Sequence, residues 1–252
     1  MVDAVFANTI SWKQTCTAER AMPENLPNET SIVIIGGGVV GCSIAYHLVK
    51  SGIRDVLLLE RKQLSSGTTW HAAGLVGQLR ATQNLTQLAK YSTDLYAGLE
   101  EETGQATGFK QNGSISLATN LERMEELRRG ASMAKVFGVS VEEIGPNDIF
   151  AKYPLLNVDD LVGGVFLPMD GQINPSDLTQ ALAKGARSGG AVLIENTAVT
   201  DILVNDEKVT GVSVGNETVK TEIVVNCTGM WGRSVGAMTT VSYTHLTLPT
   251  KA

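Results

Sequence analysis

A short apolar run that leads into three spaced glycines constrains this chain more than any other feature. Residues 31–35 read Ser-Ile-Val-Ile-Ile and predict a buried parallel strand. Gly36, Gly38 and Gly41 follow in G-x-G-x-x-G spacing, and apolar residues at helical intervals predict a helix over 42–51. The first glycine permits a tight turn, the second lets a pyrophosphate approach the backbone, and the third lets helix and strand pack closely. These features indicate a dinucleotide site at a helix N-terminus.

An acidic residue completes the predicted β-α-β unit. Residues 55–59 predict a second buried strand, and Glu60 closes it nineteen residues beyond Gly41. Its carboxylate can accept hydrogen bonds from both hydroxyls of a ribose and would repel a 2′-phosphate, which disfavours NADP. The unit alone leaves NAD and FAD open, so a nicotinamide-dependent dehydrogenase explains the glycines and Glu60 equally well.

The rest of the chain alternates between helical and strand-like segments. Further helices are predicted over 85–102, 121–137 and 175–187. Further strands are predicted over 114–118, 163–167, 191–194, 199–204, 209–214 and 219–225. In the first of these helices, Leu88, Tyr91, Leu95 and Leu99 form the predicted apolar stripe.

The end of the last predicted strand favours FAD. Flavoprotein folds commonly return a strand to the nucleotide sheet at this point, and the small residues 226–229 suit a close passage by the dinucleotide. We therefore expect Gly229 and Trp231 to lie near the cofactor.

Charge and composition exclude several classes of protein. A net charge of −6 and 5% aromatic residues argue against nucleic-acid binding, because neutralising phosphates needs a basic surface. Three distant cysteines without a CxxC pair predict neither a disulfide framework nor a metal site, and they favour a reducing compartment. No apolar window is long enough to span a membrane. Residues 1–30 contain more acidic than basic residues, which predicts a disordered leader rather than a presequence.

Residues 66–75, Ser-Gly-Thr-Thr-Trp-His-Ala-Ala-Gly-Leu, are the most informative loop. The loop follows Glu60 closely, so it should run along the diphosphate towards a flavin ring. Gly67, Thr68 and Thr69 offer amides and hydroxyls to phosphates, whereas Ala72, Ala73 and Gly74 permit close approach to a flat ring. His71 is the nucleophile here that could form a stable bond to a flavin methyl carbon. A buried histidine, satisfied by backbone hydrogen bonds, is the alternative interpretation.

Five runs together resemble the dimethylglycine dehydrogenase and sarcosine dehydrogenase family of covalent flavoproteins. They are residues 34–41, 66–75, 99–104, 153–160 and 224–229, and the likeness covers about 31–238. In that family the histidine after the tryptophan carries the flavin, which implies that His71 is the covalent attachment point. The resemblance implies cofactor contacts at Val39, Val40, Glu60, Arg61, Gly67, Thr68, Thr69, Trp70, His71, Ala72, Ala73, Gly74, Leu75 and Val199. Residues 78–80 and 111–113 look more like the sarcosine branch, although oxidases of longer N-methylamino acids share these loops.

The resemblance implies an α/β fold of the D-amino-acid-oxidase type, with a Rossmann-like parallel sheet and part of an antiparallel substrate sheet. It also implies oxidation of an N-methylated amino acid such as sarcosine or dimethylglycine. The N-methyl carbon would lose hydride to the flavin, and the resulting iminium would hydrolyse or pass its carbon to tetrahydrofolate. The electron acceptor would be an electron-transfer flavoprotein or oxygen. The expected location is a bacterial cytoplasm or, in a eukaryote, the mitochondrial matrix.

A non-catalytic alternative exists in the same superfamily. A regulatory subunit associated with pyruvate dehydrogenase phosphatase shares the fold and lacks the Trp-His pair, so Trp70 and His71 favour an enzyme. The likeness stops near residue 238, and residues 239–252 look like translated adapter sequence. We therefore expect an FAD domain over 31–238 that is an N-terminal fragment, inactive by itself, followed by a foreign tail.

Overall fold

The computed structural model describes residues 26–239, which form parts of two compact units. The first unit comprises residues 1–71 and 182–252, and the second comprises residues 72–181. Most of the predicted leader and nearly all of the predicted tail lie outside the described residues. Residues 26–30 are held to the first unit, since Thr30 N donates to Lys220 O at 3.0 Å and Lys220 N donates to Asn28 O at 2.9 Å.

A parallel sheet organises the first unit. Its strands are β1 (Ile32–Ile35), β2 (Val56–Leu59), β8 (Val192–Ile194) and β12 (Ile223–Asn226), in the order β12-β1-β2-β8. Helix α1 (Val39–Lys50) connects β1 to β2. Every side chain of β1 and β2 is buried, which confirms the two apolar runs as central parallel strands.

An antiparallel sheet packs against this parallel sheet within the same unit. It contains β9 (Asp201–Asn205), β10 (Lys208–Val214) and β11 (Glu217–Lys220), in the order β11-β10-β9. Its valines enter one hydrophobic cluster with alternate residues of β1 and β2. The cluster contains Val33, Ile35, Leu57, Leu59, Val199, Ile202, Val212, Val214, Val219 and Val235. Short helix α6 (Gly232–Gly236) follows β12.

The second unit has its own small sheets and helices. β4 (Ser114–Ala118), β5 (Glu142–Ile144) and β6 (Gly163–Leu167) form an antiparallel sheet in the order β4-β6-β5, and β3 (Leu75–Val76) pairs with β7 (Gly171–Gln172). The helices are α2 (Gln83–Thr103), α3 (Leu121–Val136) and α4 (Pro146–Lys152). Helix α5 (Pro175–Ser188) begins in this unit and ends in the first.

Buried Asp170 gives residues 78–80 and 111–113 a structural role in the second unit. Its carboxylate accepts hydrogen bonds from Gln78 N at 2.8 Å and from Ser114 Oγ at 2.6 Å, and its carbonyl accepts one from Gly113 N at 2.8 Å. The two runs that resemble the sarcosine branch thus include residues that hold β3, β4 and β7 together.

Three sequence predictions about these elements were wrong. Helix α1 begins at Val39 rather than at residue 42, because the helix opens inside the glycine motif. The predicted strand over 219–225 is two strands, β11 and β12. The predicted loop over 66–75 contains a 3₁₀ turn, Thr69–His71, and the first residue of strand β3.

Helix α2 also departs from its predicted apolar stripe. Leu88 and Tyr91 are exposed, whereas Thr86, Thr93 and Leu99 are buried. A buried threonine is tolerated here because its hydroxyl can bond within the helix, as Thr93 Oγ1 does by donating to Ala89 O at 2.9 Å.

Candidate cofactor site

The glycine turn between β1 and α1 shows why three positions lack side chains. Gly36 has φ +111°, and a Cβ there would lie 2.5 Å from the carbonyl oxygen of Cys227, the residue that follows β12. A Cβ on Gly41 would overlap the Gly36 carbonyl oxygen. The first and third glycines therefore serve the tight turn and the close helix–strand packing that their spacing predicts.

Gly38 occupies the N-cap of α1 and leaves the end of the helix accessible. Among the described residues, a Cβ on Gly38 would meet just one atom within 4 Å, Thr69 Oγ1 at 3.0 Å. Gly38 makes no side-chain cap, and the first turn of α1 contains no acidic residue. The positive end of the helix dipole is thus free of a competing carboxylate from the helix itself and suits a pyrophosphate.

Glu60 binds the glycine turn directly. Its Oε2 accepts a hydrogen bond from Gly37 N at 2.7 Å, and its Oε1 accepts one from Lys62 N at 2.9 Å. A carboxylate has about four lone-pair sites, so the predicted ribose contacts remain compatible with these bonds. The sequence did not predict that the same carboxylate would also fix the turn.

Two hydrogen bonds fix the start of the loop that follows β2. Leu64 N donates to Glu195 Oε1 at 2.6 Å, and Ser65 N donates to Gly37 O at 2.9 Å. Ser65 has φ 65°, a conformation that a non-glycine residue adopts at some cost. Sequence reasoning missed both Glu195 and Ser65, and the separation of 131 residues between Leu64 and Glu195 explains why no local pattern could show the first contact.

Arg61 and Trp231 lie together at the carboxyl edge of the parallel sheet. The Arg61 guanidinium carbon is 4.0 Å from the centroid of the Trp231 ring, a cation–π distance. A Cβ on Gly67 would lie 3.7 Å from that ring, and a Cβ on Gly229 would lie 3.7 Å from Thr68 Oγ1. The structure therefore brings the ends of β2 and β12 together with the loop, and the predicted cofactor contacts of Gly229 and Trp231 stay predictions.

His71 ends the 3₁₀ turn of this loop and is exposed. Its backbone N donates to Thr68 O at 3.2 Å, and its ring centroid lies 3.8 Å from the Trp70 ring centroid, with the planes tilted by 44°. Trp70 is 57% exposed. The alternative interpretation of His71 as a buried core histidine is wrong in this structure.

The remaining loop residues begin the second unit. Ala72, Ala73 and Leu75 are exposed, as residues that face a ligand can be. Gly74 differs from them, because it is buried with φ +72° and a Cβ there would overlap the Ile173 carbonyl oxygen. Packing within the second unit is therefore enough to require glycine at residue 74, and its approach to a flat ring stays a prediction.

Three further residues that are predicted to contact the cofactor, Val39, Val40 and Val199, differ in their burial. Val39 is half-buried and Val40 is exposed, both in the first turn of α1. Val199 is 2% exposed and packs in the hydrophobic cluster of the first unit. The Val199 side chain is therefore part of the hydrophobic core, and only its main chain is left to contact a cofactor.

Two cysteine thiols lie near the glycine turn, and burial disfavours the thiolate form of both. Burial raises the pKa of Cys42 to about 12, and burial also raises the pKa of Cys227. Both thiols are free. Within residues 26–239, no group of histidine, cysteine or acidic side chains could hold a metal ion, and no helix is long and apolar enough to cross a membrane.

Comparison with known proteins assigns this arrangement to a family. The profile of the FAD dependent oxidoreductase family matches residues 31–252. The chain belongs to this family of FAD-dependent oxidoreductases. Membership favours FAD over the nicotinamide cofactor that the glycines and Glu60 also allowed.

The relatives include the two dehydrogenases that the sequence runs resemble. Mitochondrial sarcosine dehydrogenase of Homo sapiens is 42% identical over 219 residues, which are 84% of this chain and 24% of that protein. Mitochondrial dimethylglycine dehydrogenase of Rattus norvegicus is 41% identical over 216 residues, 86% of this chain and 25% of that protein. The mitochondrial pyruvate dehydrogenase phosphatase regulatory subunit of Mus musculus is 39% identical over 222 residues, 88% of this chain and 25% of that protein. The chain spans about a quarter of the length of these curated relatives.

A solved structure confirms the fold class. L-proline dehydrogenase from P. horikoshii matches with a TM-score of 0.79 and 32% identity, over 84% of this chain and 56% of that chain. The predicted α/β fold with a parallel sheet is therefore confirmed. The residues of the first unit fit FAD, because the accessible end of α1, the Glu60 carboxylate and the exposed loop up to His71 converge on one sheet edge.

Proposed function

We propose that the protein containing this chain oxidises the N-methyl group of an N-methylated amino acid, such as sarcosine or dimethylglycine, with FAD. The observation that carries the proposal is the exposed Trp70–His71 pair, within the same compact unit as the glycine turn and Glu60. Bound FAD would supply the acceptor for two electrons and a proton from the substrate. The relatives named for sarcosine and dimethylglycine suggest the class of substrate.

We further propose that His71 holds the flavin covalently. The imidazole is exposed and its chain position is fixed by the 3₁₀ turn, so a ring nitrogen can reach a ligand at the surface of the unit. Forming a C–N bond removes one hydrogen from a flavin methyl carbon and one from the imidazole. They leave as two protons and two electrons, and an oxidant such as dioxygen takes up the electrons. Such a bond would prevent loss of the cofactor.

The other residues of the first unit would bind and orient the cofactor. The backbone amides of Gly38 and Val40 would receive the pyrophosphate, and Glu60 would accept hydrogen bonds from the ribose. Arg61, stacked on Trp231, would add a fixed positive charge at the same edge. Contacts with the substrate carboxylate, a tetrahydrofolate site and the electron acceptor, either an electron-transfer flavoprotein or oxygen, would belong to the rest of the protein.

The expected cell location follows from the same proposal. Relatives named as mitochondrial and a bacterial 4-methylaminobutanoate oxidase from Paenarthrobacter nicotinovorans, 40% identical over 84% of this chain and 26% of that protein, are both compatible with it. We propose a bacterial cytoplasm or a mitochondrial matrix.

A non-catalytic regulatory subunit is a second candidate, because the mouse relative of that name is 39% identical to this chain. Reduction of the bound flavin by substrate distinguishes the two. Sarcosine or dimethylglycine, added to the full-length holoprotein without oxygen, should bleach the visible flavin absorbance, whereas glycine, which has no N-methyl group, serves as the control. If dithionite reduces the bound flavin but no N-methylated amino acid does, the regulatory role is favoured and the enzymatic proposal fails.

A further inference from the structure

One hydrogen bond connects the helix end with the loop that carries His71. Val39 N, the first helical amide of α1, donates to Thr69 Oγ1 at 3.1 Å across a separation of 30 residues. The first amides of a helix lack partners within the helix, and a side chain at the N-cap usually satisfies one of them. The N-cap here is Gly38, which has no side chain, so Thr69 caps the helix from the loop.

Thr69 also begins the 3₁₀ turn that ends at His71. Its hydroxyl therefore ties the start of this turn to the amide end of α1, while Ser65 N ties the base of the loop to Gly37 O at 2.9 Å. Between these two anchors, the Gly67 backbone packs near the Trp231 ring. The backbone of the loop is thus fixed on both sides of Gly67 before His71 is reached.

The geometry points to Thr69 as a positioning residue that sets the distance between the pyrophosphate end of the cofactor and His71. We infer that its hydroxyl, by capping α1, places the 3₁₀ turn so that the imidazole meets the flavin ring of a cofactor anchored at the same helix end. This inference rests on the proposed covalent attachment at His71. Thr69 acts through the backbone of the turn and takes no part in bond formation.

Two substitutions at Thr69 distinguish the effect of its hydroxyl group from the effect of its side-chain shape. Thr69→Val keeps the shape and removes the hydrogen-bond acceptor, whereas Thr69→Ser keeps the acceptor and removes one methyl group. Thr210→Val is the matched control, because Thr210 is an exposed threonine of β10 whose hydroxyl donates to Leu203 O, outside the loop and the glycine turn. In the full chain at saturating FAD, the rate of acid-stable flavin incorporation should fall roughly tenfold in Thr69→Val, the value of one hydrogen bond, and stay within about twofold in the other two variants. Equal rates in Thr69→Val and wild type would overturn the inference.

Hydrogen exchange of the cofactor-free protein gives an independent readout. The Val39 amide and the backbone of residues 66–71 should exchange faster in Thr69→Val than in Thr69→Ser and wild type, and unchanged exchange would also overturn the inference. If Thr69→Val does not fold, Thr69→Cys supplies the same test with a weak acceptor. If the wild-type protein carries no covalent flavin, only the proposed attachment at His71 is refuted. The exchange experiment would still decide whether Thr69 orders the turn.

Discussion

At the scale of single residues, the geometry of the candidate site depends on three glycines, Gly36, Gly38 and Gly41. Gly36 and Gly41 are required by the backbone atoms that would occupy their Cβ positions, whereas Gly38 faces a single side-chain oxygen. Gly36 and Gly41 are therefore needed for the chain to fold, whereas Gly38 keeps the end of α1 accessible. This difference allows cofactor binding and folding to be tested separately.

Replacing Gly38 by valine should abolish retention of FAD. The new side chain would stand where the pyrophosphate approaches and would push against Thr69 Oγ1, which lies 3.0 Å from the Cβ position. The flavin-to-protein ratio of the purified full-length variant measures the effect, with Gly98→Ala as the control, because no atom lies within 4 Å of that Cβ. A Gly38→Val protein that purifies yellow at normal stoichiometry would refute the site assignment.

Cys42 should make the stability of the protein fall at alkaline pH. Burial raises its pKa from 9.0 to about 12 in the folded state, so the contribution is complete below pH 9.0 and is lost as the pH rises towards 12. The folded state then holds a proton that the unfolded state has released, which costs about 1.4 kcal/mol at pH 10 relative to neutral pH. Urea denaturation at pH 7 and pH 10 measures this difference.

Cys42→Ala is the control for that measurement, since Tyr96 also has a raised pKa and adds a slope of its own. The difference between wild type and Cys42→Ala should shrink by about 1.4 kcal/mol between the two pH values. A difference that does not change with pH would show that the thiol is not held neutral by burial.

Some site residues could be predicted from sequence, and others could not. The glycines and Glu60 could be predicted because their spacing along the chain matches a dinucleotide site, whereas the role of Trp70 and His71 is implied by a family resemblance. The contact of Glu195 with Leu64 N and the capping of α1 by Thr69 depend on segments 131 and 30 residues apart. Such contacts exist only after the tertiary fold has formed, so no local pattern shows them.

At the scale of elements, periodicity predicted where helices and strands lie better than what they contact. Helix α2 was expected near its observed position, but its predicted apolar stripe included residues that are exposed. The predicted strand over 219–225 is divided at Thr221, whose buried hydroxyl donates to Ser31 O at 3.1 Å. The sequence gives no sign of this division, because the residues of β11 and those of β12 both favour a strand. The two strands differ only in the sheet that they join.

Two leucines of helix α2 should respond differently to the same substitution. Leu99 is fully buried, so Leu99→Ala should lower the free energy of unfolding by about 2–5 kcal/mol. Leu88 is 62% exposed, so Leu88→Ala should change it by less than about 0.5 kcal/mol. Chemical denaturation of the two variants measures both values, and equal losses would show that the apolar stripe predicted from sequence is the buried face.

At the scale of the whole molecule, the described residues expose edges and apolar surface. β8 and β12 end the parallel sheet, and Val192 and Ile223 on these strands are 46% and 51% exposed. Trp70, Leu75 and Leu88 are also exposed. Sheet edges and apolar patches of this kind favour association between copies.

The 252-residue chain should therefore self-associate as its concentration rises. Sedimentation velocity over a range of concentrations measures this, and Val192→Lys with Ile223→Lys should reduce association, because charged side chains oppose edge-to-edge pairing. A monodisperse monomer with one sharp thermal transition would contradict the prediction.

The most direct test of the central proposal is whether flavin stays bound to denatured protein. Full-length wild-type protein should keep its flavin absorbance through acid precipitation, and a peptide containing His71 should carry the added mass of the flavin. His71→Ala keeps the glycine turn and Glu60, so it should bind FAD that acid releases completely. If acid also releases all flavin from the wild type, His71 is not an attachment point.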